Sequence, residues 1–227
     1  MSNETALKSL YPFLHGDAQD SAKMATALLG SIAQKARDSR DTNECFFDGH
    51  AETLIAAAQT LAGVYRGGGQ LFAMGNGGSS CDASHVAVEF AHPVTAGRPA
   101  LPATNLVADV AMISAVGNDI GFDHVFVRQL SAHGRPGDAL IGFSTSGNSD
   151  NLVAAFAKAR EMGIVTIGLA GGDGGRMKSS GFVDHCLVVP STSIHRIQES
   201  HVTAYHILWD LVHTLLADER GSAGSRP

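Results

Sequence analysis

The chain has 227 residues, of which 44% are hydrophobic and 17% are charged, and it contains 26 glycines. This length fits one α/β domain of ordinary size, and the composition excludes a disordered or fibrous protein. A net charge of −6 provides no surplus of lysine and arginine with which to bind a nucleic-acid backbone. We therefore expect no nucleic-acid partner.

The cysteines and the apolar runs indicate the compartment. Cys45, Cys81 and Cys186 are widely spaced and form no CxxC pair, which argues against a disulfide framework or a cysteine-rich zinc site. The first residues lack the pattern of a signal peptide, and no apolar run approaches the ~18 residues of a membrane helix. We expect a cytoplasmic protein with no membrane partner, in which Cys81 is a small buried side chain.

Helical periodicity follows a weakly patterned arm over residues 1–20. It predicts two helices, over residues 21–37 and 48–65, and the three glycines after Arg66 end the second one. The apolar positions of the first helix are Met24, Ala27, Leu28 and Ile32, and those of the second are Leu54, Ile55, Ala58, Leu61 and Val64.

From residue 70 onward, short apolar strands alternate with amphipathic helices. The predicted strands cover residues 70–74, 102–107, 138–143, 164–169 and 186–189, and the predicted helices cover residues 79–90, 109–116, 122–133, 148–162 and 196–217. This alternation predicts an α/β fold with a five-stranded parallel sheet and helices on both faces. We expect an N-terminal arm and helix over residues 1–47, the sheet domain over 48–218, and a disordered tail over 219–227.

Two loops after predicted strands have the composition of phosphate-binding turns. In the first loop, residues 74–80, glycines allow backbone N–H groups to approach a ligand, and the following helix N-terminus favours an anion. A tight turn that binds nothing is the alternative, and no lysine follows the glycines as it would in a P-loop. The second loop, residues 143–149, has four hydroxyl side chains where one N-cap would need a single one. Because ligands bind at the carboxyl ends of parallel strands, we interpret both loops as a phosphate cradle.

Five segments occur in an order and at a spacing that can be compared with a known family: Gly75–Ser79, Ala115–Asp119, Gly134–Asp138, Ser144–Ser149 and Arg196–Glu199. Together they resemble the phosphoheptose isomerases of the sugar isomerase (SIS) domain family, over about residues 50–217. The resemblance implies a flavodoxin-like sheet, a homotetramer and sedoheptulose 7-phosphate as the substrate. The substrate-binding residues that it implies are Asn76, Gly77, Gly78, Ser79, Asp109, Ser144, Thr145, Ser146, Ser149 and Gln198.

A histidine and a carboxylate share one face of the helix after the first loop. His85 and Glu89 lie four residues apart, a spacing that a solvated helix face also shows. The resemblance implies that His85, Glu89, Gln198 and His206 hold one zinc ion per subunit, for which imidazole, carboxylate and amide oxygens are suitable ligands. It also implies Glu89 and His206 as the catalytic pair of an aldose–ketose isomerisation through an enediol.

The spacing of two of these ligands has a further consequence. Gln198 and His206 are eight residues apart, or ~12 Å along a helix axis, so one straight helix cannot easily present both to one ion. Either the last helix begins after Gln198, or the ligands come from different subunits. We expect active sites that are shared between subunits. The neighbouring His201 and His213 are expected to be structural or exposed.

Three positions depart from the family pattern. Pro93 stands where many members have arginine, Ala108 where many have threonine, and His195 where aspartate or a small residue is usual. Arg98 or His92 could replace the missing arginine. These departures leave the exact sugar open.

Two other classes of protein share this fold family. One is a non-catalytic SIS protein that binds a protein partner such as the replication initiator DnaA, and the other is a regulator that senses a sugar phosphate. The presence of Glu89 and His206 favours an enzyme over the first class. Residues 1–45 show no helix-turn-helix signal, which disfavours the second.

Overall fold

The computed structural model describes residues 21–223, with the side chains of residues 24–217. The arm predicted over residues 1–20 therefore lies outside the described residues. By its internal contacts the chain divides between Arg40 and Asp41, which is earlier than the expected boundary after residue 47. The domain limits that follow from the sequence stay a prediction.

One long helix, α1 (Ser21–Arg66), takes the place of the two helices predicted over residues 21–37 and 48–65. The polar stretch between the two predicted helices shows no apolar period, but it also contains no proline or glycine. Because nothing in that stretch breaks a helix, the hydrogen-bonded ladder continues through it.

The apolar positions of α1 differ in their exposure. In the unit that ends at Arg40, Leu28 and Ile32 are exposed, as is Met24 to a lesser extent. In the second unit the residues Leu54, Ala58, Leu61 and Val64 are buried as predicted. Ile55 is exposed, contrary to the prediction, because it lies about 100° around the helix from Leu54.

The remaining elements, in chain order, are β1 (Leu71–Gly75), α2 (Gly78–Ala91), β2 (Ala103–Asn105), α3 (Val110–Asp119), a 3₁₀ turn (Phe122–His124), α4 (Val125–His133), β3 (Ala139–Ser144), α5 (Asp150–Glu161), β4 (Val165–Gly171), α6 (Gly175–Ser179), β5 (His185–Val189) and α7 (Ile194–Ala223). All strand pairs are parallel, in the order β2-β1-β3-β4-β5. The predicted α/β fold with a flavodoxin-like five-stranded parallel sheet is confirmed.

Other elements also differ from the prediction, among them β2, α6 and α7. β2 ends at Asn105, well before residue 107, because the Asn105 side chain accepts a hydrogen bond from the Val107 N–H at 2.9 Å and turns the chain. The five-residue helix α6 is too short to show a period and was not predicted. α7 continues to Ala223, so residues 219–223 are helical rather than part of a disordered tail.

The sheet separates two hydrophobic clusters, which fixes the layers. One face packs against α2, α7 and the part of α1 after Arg40, through side chains such as Leu61, Phe90 and Leu208. The other face packs against α3 to α6, through side chains such as Phe126 and Phe156. No helix within residues 21–223 is long and apolar enough to span a membrane.

The strand order creates a crevice at the carboxyl ends of the central strands. β1 and β3 are neighbours, but β1 leads into α2 on one face and β3 leads into α5 on the other. The chain therefore departs in opposite directions from the carboxyl ends of two adjacent strands. This reversal of strand order is where α/β sheets bind their ligands.

Candidate active site

The two phosphate-type loops meet at the crevice between β1 and β3. Asn76 in the first loop exchanges two side-chain hydrogen bonds with Asn151 at the start of α5, at 2.8 and 2.9 Å. Asn151 lies two residues after the end of the second loop, so this amide pair fixes the two loops against each other. Asn76 was predicted to bind substrate, and the structure also gives it this bridging contact.

The first loop turns into α2 through a glycine in an unusual backbone conformation. Gly77 has a φ of 54°, a conformation that side chains rarely adopt, and it stands at the N-cap position of α2 without a side-chain hydrogen bond to the helix. Gly77 and Gly78 are exposed, whereas Ser79 is buried. The N–H groups of the first turn of α2 therefore lack a capping side chain, which suits an anion.

The second loop orders its hydroxyl groups among themselves. Ser144, buried at the end of β3, lies 3.1 Å from Ser149 through their hydroxyl oxygens. Ser149 occupies the N-cap position of α5, but its side chain makes no capping bond. Thr145 is half-buried and Ser146 is exposed. Helix α5, like α2, thus begins with no side-chain cap.

A short helix that the sequence did not predict supports the second loop. Gly147 has a φ of 65°, and a Cβ atom there would overlap the carbonyl oxygen of Gly174 just before α6. The N–H of Met177 donates to the Gly147 carbonyl at 2.9 Å, and the Arg176 side chain pairs with Asp150. Loop and helix are therefore packed without a gap, and only glycine fits at position 147.

Three side chains with ligand atoms converge beside these loops. His85 and Glu89 on α2 and His206 on α7 place one ligand atom each within 4.8 Å of one another. The His85 Nε2 atom lies 3.1 Å from Glu89 Oε1, and the His85 and His206 ring centroids are 4.9 Å apart. We call these three residues the His–Glu–His cluster. The sequence predicted all three, and one chain brings them together.

The electrostatics of the cluster suit a cation. Burial lowers the pKa of His206, as does the neighbouring His85 ring, while Glu89 acts in the opposite direction. Asp82, one turn before His85, is buried, and burial raises its pKa to about 6, against a smaller opposite effect of His85. Its Oδ2 atom has no hydrogen-bond partner within the described part of the chain. Two imidazoles beside the Glu89 carboxylate, with the unpartnered Asp82 oxygen one turn away, form a donor set for a divalent metal.

Gln198, the fourth predicted ligand, does not join the His–Glu–His cluster of its own chain. Helix α7 begins at Ile194, so the possibility that it begins after Gln198 is wrong. A Cβ atom on Gly78 would overlap the Gln198 amide, which places that amide against the first loop. His85 follows Gly78 by two turns of α2, ~10 Å along the axis. Within one chain, Gln198 therefore contacts the loop rather than the cluster.

The other predicted positions have structural contacts of their own. Asp109 is exposed and caps α3, since its Oδ1 atom accepts from the Met112 N–H at 2.9 Å. His201 and His213 are buried, as expected for structural histidines. Cys81 is exposed, contrary to the prediction, because α2 buries its opposite face.

The candidate replacements for the missing arginine differ. Arg98 stacks over the Trp209 ring at 4.3 Å and pairs with Asp210 at 2.5 Å. The Trp209 indole N–H in turn donates to the backbone carbonyl of Glu89 at 2.8 Å. Arg98 is thus held against α7, next to the residue that bonds the Glu89 carbonyl. His92, in contrast, is exposed after the end of α2.

Sequence reasoning missed Tyr205, whose hydroxyl oxygen lies 2.6 Å from His85 Nδ1. The tyrosine directly precedes His206, and a buried aromatic residue next to a predicted ligand is a signal that could have been used. Trp209 and Arg176 were also missed. Trp209 on α7 contacts α2, and Arg176 on α6 contacts α5, so no pattern within one helix indicates these contacts.

Comparison with known proteins agrees with this geometry. The SIS domain family matches residues 36–171. The chain belongs to this family. A phosphoheptose isomerase from Solidesulfovibrio magneticus is 44% identical over 188 residues, which cover 83% of this chain and 89% of that relative.

Solved structures show the same relationship. A phosphoheptose isomerase from Francisella tularensis is 32% identical with a TM-score of 0.78, covering 82% of this chain and 98% of that one. A phosphoheptose isomerase from Neisseria gonorrhoeae is 35% identical with a TM-score of 0.77, covering 82% and 99%. Within the SIS family the chain groups with the phosphoheptose isomerases and is an isomerase, and its relatives support a phosphorylated sugar as the substrate class.

Proposed function

We propose that this isomerase converts sedoheptulose 7-phosphate into D-glycero-D-manno-heptose 7-phosphate through an enediol. The observation that carries the proposal is the position of the His–Glu–His cluster along α2 from a glycine-rich loop and a hydroxyl-rich loop, each followed by a helix without a side-chain cap. The first loop begins α2, and His85 and Glu89 follow two and three turns later. An anionic end and a reacting end of one extended substrate would fit this arrangement. The names of the relatives indicate a phosphorylated heptose, and sedoheptulose 7-phosphate is the ketose that the sequence resemblance implies.

The loops bind the phosphate in this proposal. Ser79 of the first loop and Ser144, Thr145, Ser146 and Ser149 of the second supply hydroxyl groups, and the first turns of α2 and α5 supply backbone N–H donors. Charge-assisted hydrogen bonds of this kind are stronger than neutral ones. Gln198 and Asp109 then bind the sugar hydroxyls, together with Asn76 and the glycines Gly77 and Gly78.

Glu89 and His206 transfer the protons. Glu89 removes the proton from C1 of the ketose, which leaves the enediolate form of the enediol with its negative charge on O2. Burial keeps the pKa of His206 below its ordinary value, so its neutral ring can accept the proton of O1 and pass a proton to O2. Glu89 then returns its proton to C2, which gives the aldose, so atoms and charge balance.

The donor set fits a zinc ion, one per subunit. His85, Glu89 and His206 would hold it, since two imidazoles and a carboxylate are ordinary zinc ligands and the uncompensated Asp82 carboxylate lies one turn away. When bound, zinc supplies electrophilic stabilisation of the substrate carbonyl and the vicinal oxygen.

A coupled assay with sedoheptulose 7-phosphate tests both substrate and metal. We expect turnover that falls at least tenfold after chelator treatment and returns when Zn²⁺ is added back. Other ketose phosphates of five to seven carbons serve as controls for specificity. Turnover of a different sugar alone would contradict the substrate assignment, and activity that survives complete removal of metal would contradict the zinc assignment.

The protein is also proposed to be a homotetramer with shared active sites. Gln198 contacts Gly78 rather than the cluster in its own chain, so Gln198 of a neighbouring subunit is the ligand that would cross. The exposed apolar residues of α1 before Arg40, among them Leu29 and Ile32, provide a surface that other subunits could cover.

Mixing inactive variants under subunit exchange tests the shared site. Glu89→Gln and Gln198→Ala should restore some activity to each other, because they would affect different chains of one site. Glu89→Gln and His206→Ala should not, since one chain supplies both residues to the cluster. Restoration in the second mixture alone would contradict the assignment of Gln198, and full activity of an isolated monomer would contradict sharing altogether.

A further inference from the structure

We propose that Tyr205 is a positioning residue for the isomerase: its hydroxyl group, hydrogen-bonded to Nδ1 of His85, fixes the ring so that Nε2 faces Glu89 and a bound metal. The observation behind this is the 2.6 Å separation between the Tyr205 hydroxyl oxygen and His85 Nδ1. The proposal rests on the proposed metal site.

The tyrosine ring is itself held rigidly. Tyr205 is 1% exposed, and its ring centroid lies 5.8 Å from that of Phe143 on β3, in an edge-on arrangement. The centroid of His206 lies 4.8 Å away. Because the ring is packed among core side chains, its hydroxyl group has a fixed position toward His85. A hydrogen bond from a fixed group restricts the rotation of its partner.

His85, in contrast, needs an external support. Its side chain is 42% exposed, and the part away from Tyr205 meets Glu89 at 3.1 Å through Nε2. Both ring nitrogens are thus engaged, one by the core and one by the cluster. Without the Tyr205 hydroxyl, Nδ1 has no hydrogen-bond partner among the described contacts of the ring. Only the Glu89 hydrogen bond and the ring contacts with Tyr205 and His206 would then orient His85.

The hydroxyl group can serve both tautomers of the ring. With the proton on Nε2, that N–H donates to Glu89 and the tyrosine O–H donates to Nδ1. With a metal on Nε2, the proton resides on Nδ1, and that N–H donates to the tyrosine oxygen. Phenylalanine offers neither a donor nor an acceptor, so Tyr205→Phe removes the partner of Nδ1 in each state. Partners of this type typically change metal affinity ~10- to 100-fold when they are lost.

Tyr65→Phe provides a matched control. Tyr65 also packs its ring in the core, 5.7 Å from Phe90, and its hydroxyl oxygen is buried without a hydrogen-bond partner within the described residues. Both substitutions remove one phenolic oxygen from the same cluster of packed side chains. Only Tyr205→Phe removes a contact with a proposed ligand.

The test is a Zn²⁺ titration of the full-length protein in competition with a chromophoric chelator. We expect Tyr205→Phe to bind Zn²⁺ ~10- to 100-fold more weakly than the wild type, and Tyr65→Phe to bind within about threefold of it. In a His85→Ala background, Tyr205→Phe should cause no further loss, since the tyrosine acts through the histidine. Saturating Zn²⁺ should restore most of the kcat of Tyr205→Phe.

Two results would overturn the role of Tyr205. One is an affinity of Tyr205→Phe within threefold of the wild type; the other is an equal loss in Tyr65→Phe, which would identify a packing effect. If Tyr205→Phe does not fold, nitrogen-15 NMR of the wild type with Zn²⁺ decides: a protonated Nδ1 of His85 supports the proposal, and an unprotonated one refutes it. A wild type that binds no better than His85→Ala would instead refute the metal site itself.

Discussion

Replacing His201 by glutamine should remove a pH dependence of stability that originates in the core. The His201 ring is fully buried between α7 and the sheet, with Nε2 at 3.2 Å from the carbonyl oxygen of Ala170 on β4. Burial lowers its pKa from 6.5 to about 4, against a smaller opposite effect of the Ala170 hydrogen bond. In the folded protein this ring is therefore neutral at pH values where it is charged in the unfolded chain.

The sign of the effect follows from this difference. Below pH 6.5 the unfolded chain binds a proton that the folded protein does not, so stability falls as the pH drops and levels off below about pH 4. The complete loss corresponds to ~3 kcal/mol. Between pH 7.5 and pH 5.0, the residue should reduce the free energy of unfolding by ~2 kcal/mol.

Urea unfolding at several pH values, with chelator and at equal protein concentration, measures this quantity. Glutamine retains an N–H donor for Ala170 but does not titrate, so the stability of His201→Gln relative to the wild type should rise by ~2 kcal/mol between pH 7.5 and pH 5.0. His133→Gln is the control, since His133 is exposed at the end of α4. Parallel pH profiles for the wild type and His201→Gln would refute the reasoning.

Three further predictions concern the site. Glu89→Gln should lower kcat by ~10²–10⁴ with an unchanged circular dichroism spectrum, and activity within tenfold of the wild type would exclude it as the base. Alanine at both Ser144 and Ser146 should raise KM for a sugar phosphate more than it lowers kcat; unchanged binding of inorganic phosphate would place the cradle elsewhere. Gly147→Ala should destabilise the protein by ~1–3 kcal/mol in urea unfolding, because its φ of 65° and the Gly174 carbonyl leave no room for a Cβ; an unchanged midpoint would contradict that packing.

The fold could be predicted largely because its strands are covered on both faces. β1 and β3 are buried along their whole length, so they appear in the sequence as continuous apolar runs between glycine-containing turns. The length of α1 could not be predicted in this way. A helix persists through polar turns as long as nothing breaks it, and periodicity reports only the turns that bury apolar side chains.

The site was predictable only as far as its signals are local. The glycines and serines of the loops, and the four-residue spacing of His85 and Glu89, are features of short segments. Tyr205 and Trp209 contact His85 and the Glu89 carbonyl from 120 residues further along the chain. Such contacts depend on how α7 lies against α2, which the strand order and the two helix faces determine together. No pattern within either helix alone specifies them.

Helix α7 is what joins the parts of this site. Near its start Gln198 touches the first loop, one turn later His201 is tied to β4, and a turn beyond that Tyr205 and His206 meet His85. A shift of α7 along its axis would disturb the loop contact and the cluster at the same time. The buried His201, which costs stability at low pH, is thus also a polar tie that holds the register of α7. On this argument, a substitution that loosens the His201 contact should weaken Zn²⁺ binding even though His201 is not itself a ligand.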